Sequence, residues 1–250
     1  MPLGSAMPVP ASKILPLVAL LSGGLFLPAC SSAPDHPVLD LAGDIPRNYQ
    51  ARFTYDAPTL DGKLDDRAWM HIPWTANFVH LEGSGTTRPR LQSRAKMMWD
   101  RQFLYVGVWM IEPNLESKPV SSLGFDGLSL FVTRDGERID YHMVTLEPGG
   151  RMLENHVRTE EPTSLPNHAT RVLGEVGLSG TMDTPGDADR GWWAEFAIPW
   201  SAVDLPKFST IPEAGSTIRV QLARRDGAWS PHYQHDLHTP RMWGKVKLVK

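Results

Sequence analysis

Apolar residues in this chain recur at every second position, in short stretches, and no window of helical length carries a sustained 3.6-residue stripe. That pattern narrows the fold more than any other feature, because a period of two places alternate side chains on opposite faces of a strand. Residues 95–99 (AKMMW) and 103–110 (FLYVGVWM) flank Asp100-Arg101-Gln102 and predict a hairpin. Residues 128–133 (LSLFVT) and 138–146 flank the favoured turn pair Asp135-Gly136 and predict a second. Residues 171–178 and 192–198 flank a polar stretch and predict a third, with later strands at 217–223 and 245–249. Short helical turns are expected at 65–70 and 201–204. The 21 glycines and 22 prolines punctuate these segments. Many short strands between Gly/Pro-rich turns indicate an all-β chain, an antiparallel sandwich or barrel.

The segment WWAEFAIPW (192–200) separates into two faces. Trp192, Ala194, Phe196, Ile198 and Trp200 share the one expected to face the core, and Trp193, Glu195 and Ala197 share the other. A carboxylate among such neighbours, if buried, must be hydrogen-bonded or paired, an arginine being one candidate partner.

Composition excludes several functions. The chain is 41% hydrophobic and 21% charged, which separates it from disordered sequences. A net charge of −3 offers no bulk attraction to nucleic acid. One cysteine excludes a disulfide framework, a cysteine-built zinc site and a c-type haem motif. No G-x-S-x-G, H-E-x-x-H or P-loop is present, and no pair of acidic residues is recognisable as a glycosidase pair, so no enzymatic activity is expected.

Residues 14–27 (ILPLVALLSGGLFL) form an uncharged run preceded by Lys13. A membrane-spanning helix needs roughly 20 residues, so the run has the length of a signal-peptide apolar region. It ends in Leu27-Pro28-Ala29-Cys30, which resembles the lipobox of bacterial lipoproteins. The resemblance implies a signal peptide over 1–29, lipidation of Cys30, a tether over 30–46 and a folded domain over 47–250. An acylated cysteine would anchor the protein in the cell envelope, and Ser31 points to the outer membrane. The competing reading is an ordinary secretory signal with a chance cysteine.

Five stretches in order resemble family 9 carbohydrate-binding modules. They are Leu60-Asp61-Gly62-Lys63-Leu64-Asp65-Asp66 with Ala68-Trp69; Ala95-Lys96-Met97-Met98-Trp99-Asp100 with Phe103-Leu104-Tyr105-Val106; the strand at 126–133; Trp193-Ala194-Glu195-Phe196-Ala197-Ile198-Pro199-Trp200; and the closing PRMWGKVKL at 240–248. The resemblance implies an immunoglobulin-like β-sandwich of two antiparallel sheets that binds carbohydrate, with structural calcium in some members. It also exposes departures. Where sugar-binding members carry two stacking tryptophans, this chain has Leu123 and, near the second position, Leu237; Ser129 replaces an acidic residue of the central strand. Leucine lacks the flat π face that stacks on sugar C–H groups.

Phe125, Trp229, Tyr233, His235 and Trp243 are therefore the candidate ligand-binding residues, with Trp74 and Trp193 also free of the core pattern. Trp69, Trp99, Trp109, Trp192, Trp200 and Trp243 occupy positions that suit a core. Asp183, Asp187 and Asp189 are candidate calcium ligands in a Gly/Pro loop, weighed against a solvated turn. His232, His235, Asp236 and His238 form a dense polar loop whose spacing matches no metal motif. The leading expectation is a non-catalytic carbohydrate-binding module on a lipid-anchored envelope protein. The alternatives are an interaction lipoprotein with a degenerate sugar site, and a b-type haem-binding sandwich using Met97, Met98, Met110, Met143 or a histidine.

Overall fold

The computed structural model describes residues 46–80, 89–117, 127–134, 136, 140–158, 165–166, 172–203, 211–225, 227–231 and 236–250. The chain divides into two units, Met1–Val38 and Leu39–Lys250, and the described residues all lie in the second. The expected leader and Cys30 fall outside them.

Strands β1 (Asn48–Phe53), β2 (Val79–His80), β3 (Ser93–Trp99), β4 (Phe103–Ile111), β5 (Leu128–Thr133), β6 (Asp140–Leu146), β7 (Met152–Arg158) and β8 (Leu165–Pro166) make up the first part of the domain. Strands β9 (Leu173–Ser179), β10 (Gly191–Pro199), β11 (Thr217–Arg224), β12 (Gly227–Ala228) and β13 (Gly244–Val249) complete it. Two single-turn helices, α1 (Arg67–Met70) and α2 (Trp200–Val203), fall within or beside the segments where helical turns are expected.

All three predicted hairpins form: β3 with β4, β5 with β6, and β9 with β10, each antiparallel. The first owes its tight reversal to Asp100. Its Oδ1 accepts from the backbone N–H of Gln102 at 2.6 Å and of Phe103 at 2.7 Å, and its Oδ2 accepts from the Tyr105 hydroxyl at 2.8 Å. An Asx turn of this kind is what an aspartate at the start of a loop supplies.

The sandwich is present, with one amendment to the expected pair of antiparallel sheets. Hydrogen bonding is continuous in the order β8-β7-β6-β5-β11-β13-β1-β3-β4-β10-β9, and β1 runs parallel to both β13 and β3. The first strand thus inserts between the last and the third. Both halves would otherwise carry an open edge at this seam, with unpaired backbone groups.

The main core follows the period of two. β10 contributes Trp192, Ala194, Phe196 and Ile198; β4 contributes Leu104, Val106, Val108 and Met110; β5, β11 and β13 contribute Leu130, Val220 and Val246 among others. All of these are essentially without solvent exposure. Trp200, the first residue of α2, closes one end: its indole N–H donates to the Asp100 carbonyl at 2.9 Å and its ring meets Trp99 edge-on at 6.3 Å.

Candidate functional site

On the side of β3-β4-β10-β9 away from the main core, residues 57–72 lie across the strands. Glu195 holds this segment in place. The carboxylate is fully buried and accepts from the backbone N–H of Asp61 at 3.1 Å, from that of Gly62 at 2.8 Å and from the Trp69 indole at 2.9 Å. The expected need for a partner is met by these three N–H donors, with no arginine among the described residues involved. Burial pushes the Glu195 carboxyl up from its ordinary 4.5, while the three donors pull it down by less.

Glycine makes the close approach feasible. A Cβ on Gly177 would lie 1.9 Å from the Gly62 carbonyl oxygen, and one on Gly62 would lie 2.2 Å from the Val176 backbone. Gly107, between Lys96 and Glu195 in the register, leaves room for the Leu64 side chain. Trp69, Ile72, Met98, Tyr105 and Ala197 then form a small second core beneath the overlying segment.

One step along the strands the covering segment still meets β9 at Gly177, and tryptophans begin on β4 and β10. In register across the sheet stand Arg94, Trp109, Trp193 and Gly177. Trp193 and Trp109 pack with ring centroids 4.1 Å apart, and Trp74, from the segment after α1, stacks on Trp193 at 6.4 Å and 28°. All three indoles are partly open to solvent. The Arg94 guanidinium lies 4.3 Å from the Trp74 ring centroid and Lys96 Nζ lies 4.7 Å from it. Lys96 also donates to the Trp69 carbonyl at 2.8 Å. Trp74 and Trp193 are two of the three tryptophans that the sequence pattern leaves free of the core; the third, Trp229, is buried. Trp109 does not fill the core as expected. It shares a face with Phe103, Tyr105 and Gly107, whereas Leu104, Val106, Val108 and Met110 point inward. The signal was Gly107 within an otherwise bulky alternation.

The opposite half carries Leu237 and Ser129, two of the positions at which the family resemblance marks a departure from sugar-binding members. Leu237 is 9% exposed and packs with Phe131, Tyr141, Trp243, Ala223 and Ala228. Ser129 is buried and shares a hydrogen bond of 3.0 Å with Thr145. Two ligand candidates require correction. Trp243 is 0% exposed, wedged between Phe131 and Tyr141, with its indole N–H donating to the Leu237 carbonyl at 2.8 Å. Trp229 is 1% exposed and belongs to the main core, edge-on to Tyr49 at 6.3 Å and tight against Gly244. Neither offers a face to a ligand, because both rings are enclosed by their core neighbours. Phe125, Tyr233, His235 and Leu123 lie outside the described residues. Of the polar loop, Asp236 accepts from the His238 backbone N–H at 2.8 Å, and His238 hydrogen-bonds the Tyr141 hydroxyl through Nδ1.

The aspartate loop staples the chain to itself. Asp189 accepts from the backbone N–H of Leu115 and of Thr181, both at 2.8 Å. Asp183 accepts from the Ser117 N–H at 2.7 Å and from its hydroxyl, and Asp187 accepts from the Thr181 hydroxyl. The three carboxylates accept hydrogen bonds from their own loop and its neighbour, and among the described residues no group of three acidic, histidine or cysteine side chains converges to hold a metal. The methionines considered for haem are dispersed: Met97 and Met110 in the main core, Met98 under α1, Met143 beside the Trp243 cluster.

Residues 60–250 match the family model for carbohydrate family 9 binding domain-like proteins. The chain belongs to this family. It describes a binding domain and not a catalytic one. The exoglucanase XynX of Acetivibrio thermocellus is 26% identical over 174 residues, 69% of this chain. The endo-1,4-beta-xylanase A of Thermoanaerobacterium saccharolyticum is 25% identical over 189 residues, 74% of this chain. The chain spans only 14% of the length of each. A family 9 carbohydrate-binding module from Caldicellulosiruptor kristjanssonii in complex with cellotriose superposes with a TM-score of 0.56 at 17% identity, over 80% of this chain and 93% of that one. The same module in complex with glucose gives 0.56 at 16% identity, over 80% and 95%. At these identities the likeness shows the fold.

Proposed function

We propose that this protein is a non-catalytic carbohydrate-binding module that serves polysaccharide binding or catabolism from a lipid anchor in the cell envelope. The observation that carries the binding reading is the strip of Trp74, Trp193 and Trp109, whose indoles are packed together and partly open to solvent on a rigid sheet. Flat aromatic faces on a fixed scaffold are what pyranose C–H groups stack against. The strip replaces the two-tryptophan clamp that this chain lacks. The relatives solved with cellotriose and glucose support the ligand class. In affinity electrophoresis through polysaccharide gels, the purified full chain is expected to be retarded, and Trp193→Ala is expected to weaken binding by about tenfold. No retardation by any polysaccharide would sink the reading.

In that event the second reading takes over, an interaction lipoprotein with a degenerate sugar site. The burial of Leu237, Trp229 and Trp243 favours it. The anchor rests on Leu27-Pro28-Ala29-Cys30. Metabolic labelling with a fatty-acid analogue is expected to mark the chain and to fail for Cys30→Ala; equal labelling of the two would refute the anchor.

A further inference from the structure

Two cations flank the tryptophan strip, and neither has an acidic partner among the described residues. Arg94 is exposed, is the register partner of Trp109 and stacks on Trp74. Lys96, two residues on along the same face, is 8% exposed, directs its ammonium at the Trp69 carbonyl and approaches the same indole. Neither forms an ion pair with a carboxylate among the described residues. Burial and the neighbouring Arg94 both push the Lys96 ammonium below its ordinary 10.5, so the two positive charges feel each other and find no local compensation. The acids on this face stand on the other side of it. Lys96, Gly107, Glu195 and Glu175 lie in one register row, with Glu195 and Glu175 two and three strands away from Lys96. At about 4.8 Å per strand that is roughly 10 to 14 Å, and Leu64 and Trp69 cover the gap. Glu195 is moreover saturated by three N–H donors.

An aromatic strip with uncompensated cations at one border fits a particular class of sugar. A neutral glycan uses the indoles and leaves both charges unanswered. A uronic acid places a carboxylate on C6 of a pyranose ring, so ring stacking and charge pairing are satisfied by one residue of the chain. Stacking on Trp74 restrains the guanidinium plane of Arg94, and a pre-oriented fork matches a carboxylate with two parallel hydrogen bonds. A second copy of this chain is a poorer occupant, since a twofold contact would set the same cations against each other. Nucleic acid is opposed by the net charge of −3.

We propose that the Trp74–Trp193–Trp109 strip selects glycans that carry uronate residues, with Arg94 receiving the carboxylate and Lys96 adding its charge behind it. The proposal rests on the carbohydrate-binding reading above and names the substrate class for the same surface. The test is isothermal titration of the purified full chain with oligogalacturonate, and with cellohexaose and xylohexaose as neutral probes of similar length. Oligogalacturonate is expected to bind at least about tenfold more tightly than either neutral probe, and to lose most of that advantage as salt rises from about 0.05 to 0.5 M. Arg94→Gln, at an exposed position and with its fold checked by circular dichroism, is expected to remove about tenfold of the oligogalacturonate affinity and to weaken neutral binding by much less. Trp193→Ala is expected to weaken all binding. Equal affinity for acidic and neutral probes, with no response to Arg94→Gln, overturns the selectivity and leaves the carbohydrate reading standing. Oligogalacturonate binding that survives Trp193→Ala, or is matched by a single-stranded oligonucleotide of equal charge, overturns the proposal as generic polyanion attraction. Absence of binding to all probes overturns both.

Discussion

Glu195→Ala is expected to destabilise the fold by about 4 kcal/mol, the largest effect of any single polar substitution proposed here. The side chain is fully buried, and truncation strands the N–H groups of Asp61, Gly62 and Trp69 without an acceptor. Each buried donor left unsatisfied costs about 1 to 3 kcal/mol, and the Asp61 N–H, being nearer solvent, recovers part of its share from water. Glu195→Gln keeps one acceptor but turns an amide N–H₂ toward donors, so about 2 kcal/mol is expected. Urea denaturation followed by tryptophan fluorescence measures both. A second readout is pH. Because burial raises the folded carboxyl above its ordinary 4.5, the folded chain there retains a proton that the unfolded chain releases. Stability from this group therefore declines as pH rises from 4.5 through the raised value, and the alanine variant lacks that slope. A loss below about 1 kcal/mol for Glu195→Ala would show that the carboxylate does not hold the overlying segment.

Gly177→Ala is expected to cost about 3 kcal/mol, and to make residues 57–72 the first site of limited proteolysis. Its added methyl would meet backbone, the Gly62 carbonyl at 1.9 Å, and neither chain can yield without breaking the ladder between β9 and β10 or the hydrogen bonds to Glu195. Gly107→Ala is the control. Its Cβ meets the far end of Leu64 at 2.5 Å, and a leucine side chain can change rotamer, so about 1 kcal/mol is expected. Equal melting temperatures for the two variants would contradict the backbone-contact argument. Both substitutions also report on the tryptophan strip. Trp74 follows directly after the overlying segment, so displacing that segment is expected to unstack Trp74 from Trp193.

Strand positions and the inward face of β10 were legible because they depend on local alternation. Trp192, Phe196 and Ile198 sit in the core as the period of two requires, and Asp100 turns its hairpin as an aspartate at that place should. The need of Glu195 for a partner was equally legible; the partner was not. Its donors come from residues more than 120 positions away, and nothing in WWAEFAIPW distinguishes an arginine from a loop of backbone N–H groups. The candidate site was read in part. Trp74 and Trp193 stood out as free, but Trp109 looked like core, and Trp229 and Trp243 looked available when they are not.

Alternation alone determined that the chain is all-β, a sandwich or a barrel, where its hairpins turn and which residues of each strand share a face; the family resemblance narrowed this to a sandwich. The sequence also carried the family motifs, because they are short strings whose spacing survives unfolding. Only the tertiary structure decided which faces are covered. A strand has two sides, and whether the second is core or surface depends on what another part of the chain lays over it. Here residues 57–72 cover Glu195 and Ala197 and stop before Trp193, while Leu237 closes over Trp243. The parallel insertion of β1 between β13 and β3 is of the same kind, a pairing between distant segments that no local pattern encodes. Burial is a property of pairs of segments, so the partial exposure of Trp109 and the burial of Trp229 and Trp243 became identifiable only once the chain was folded.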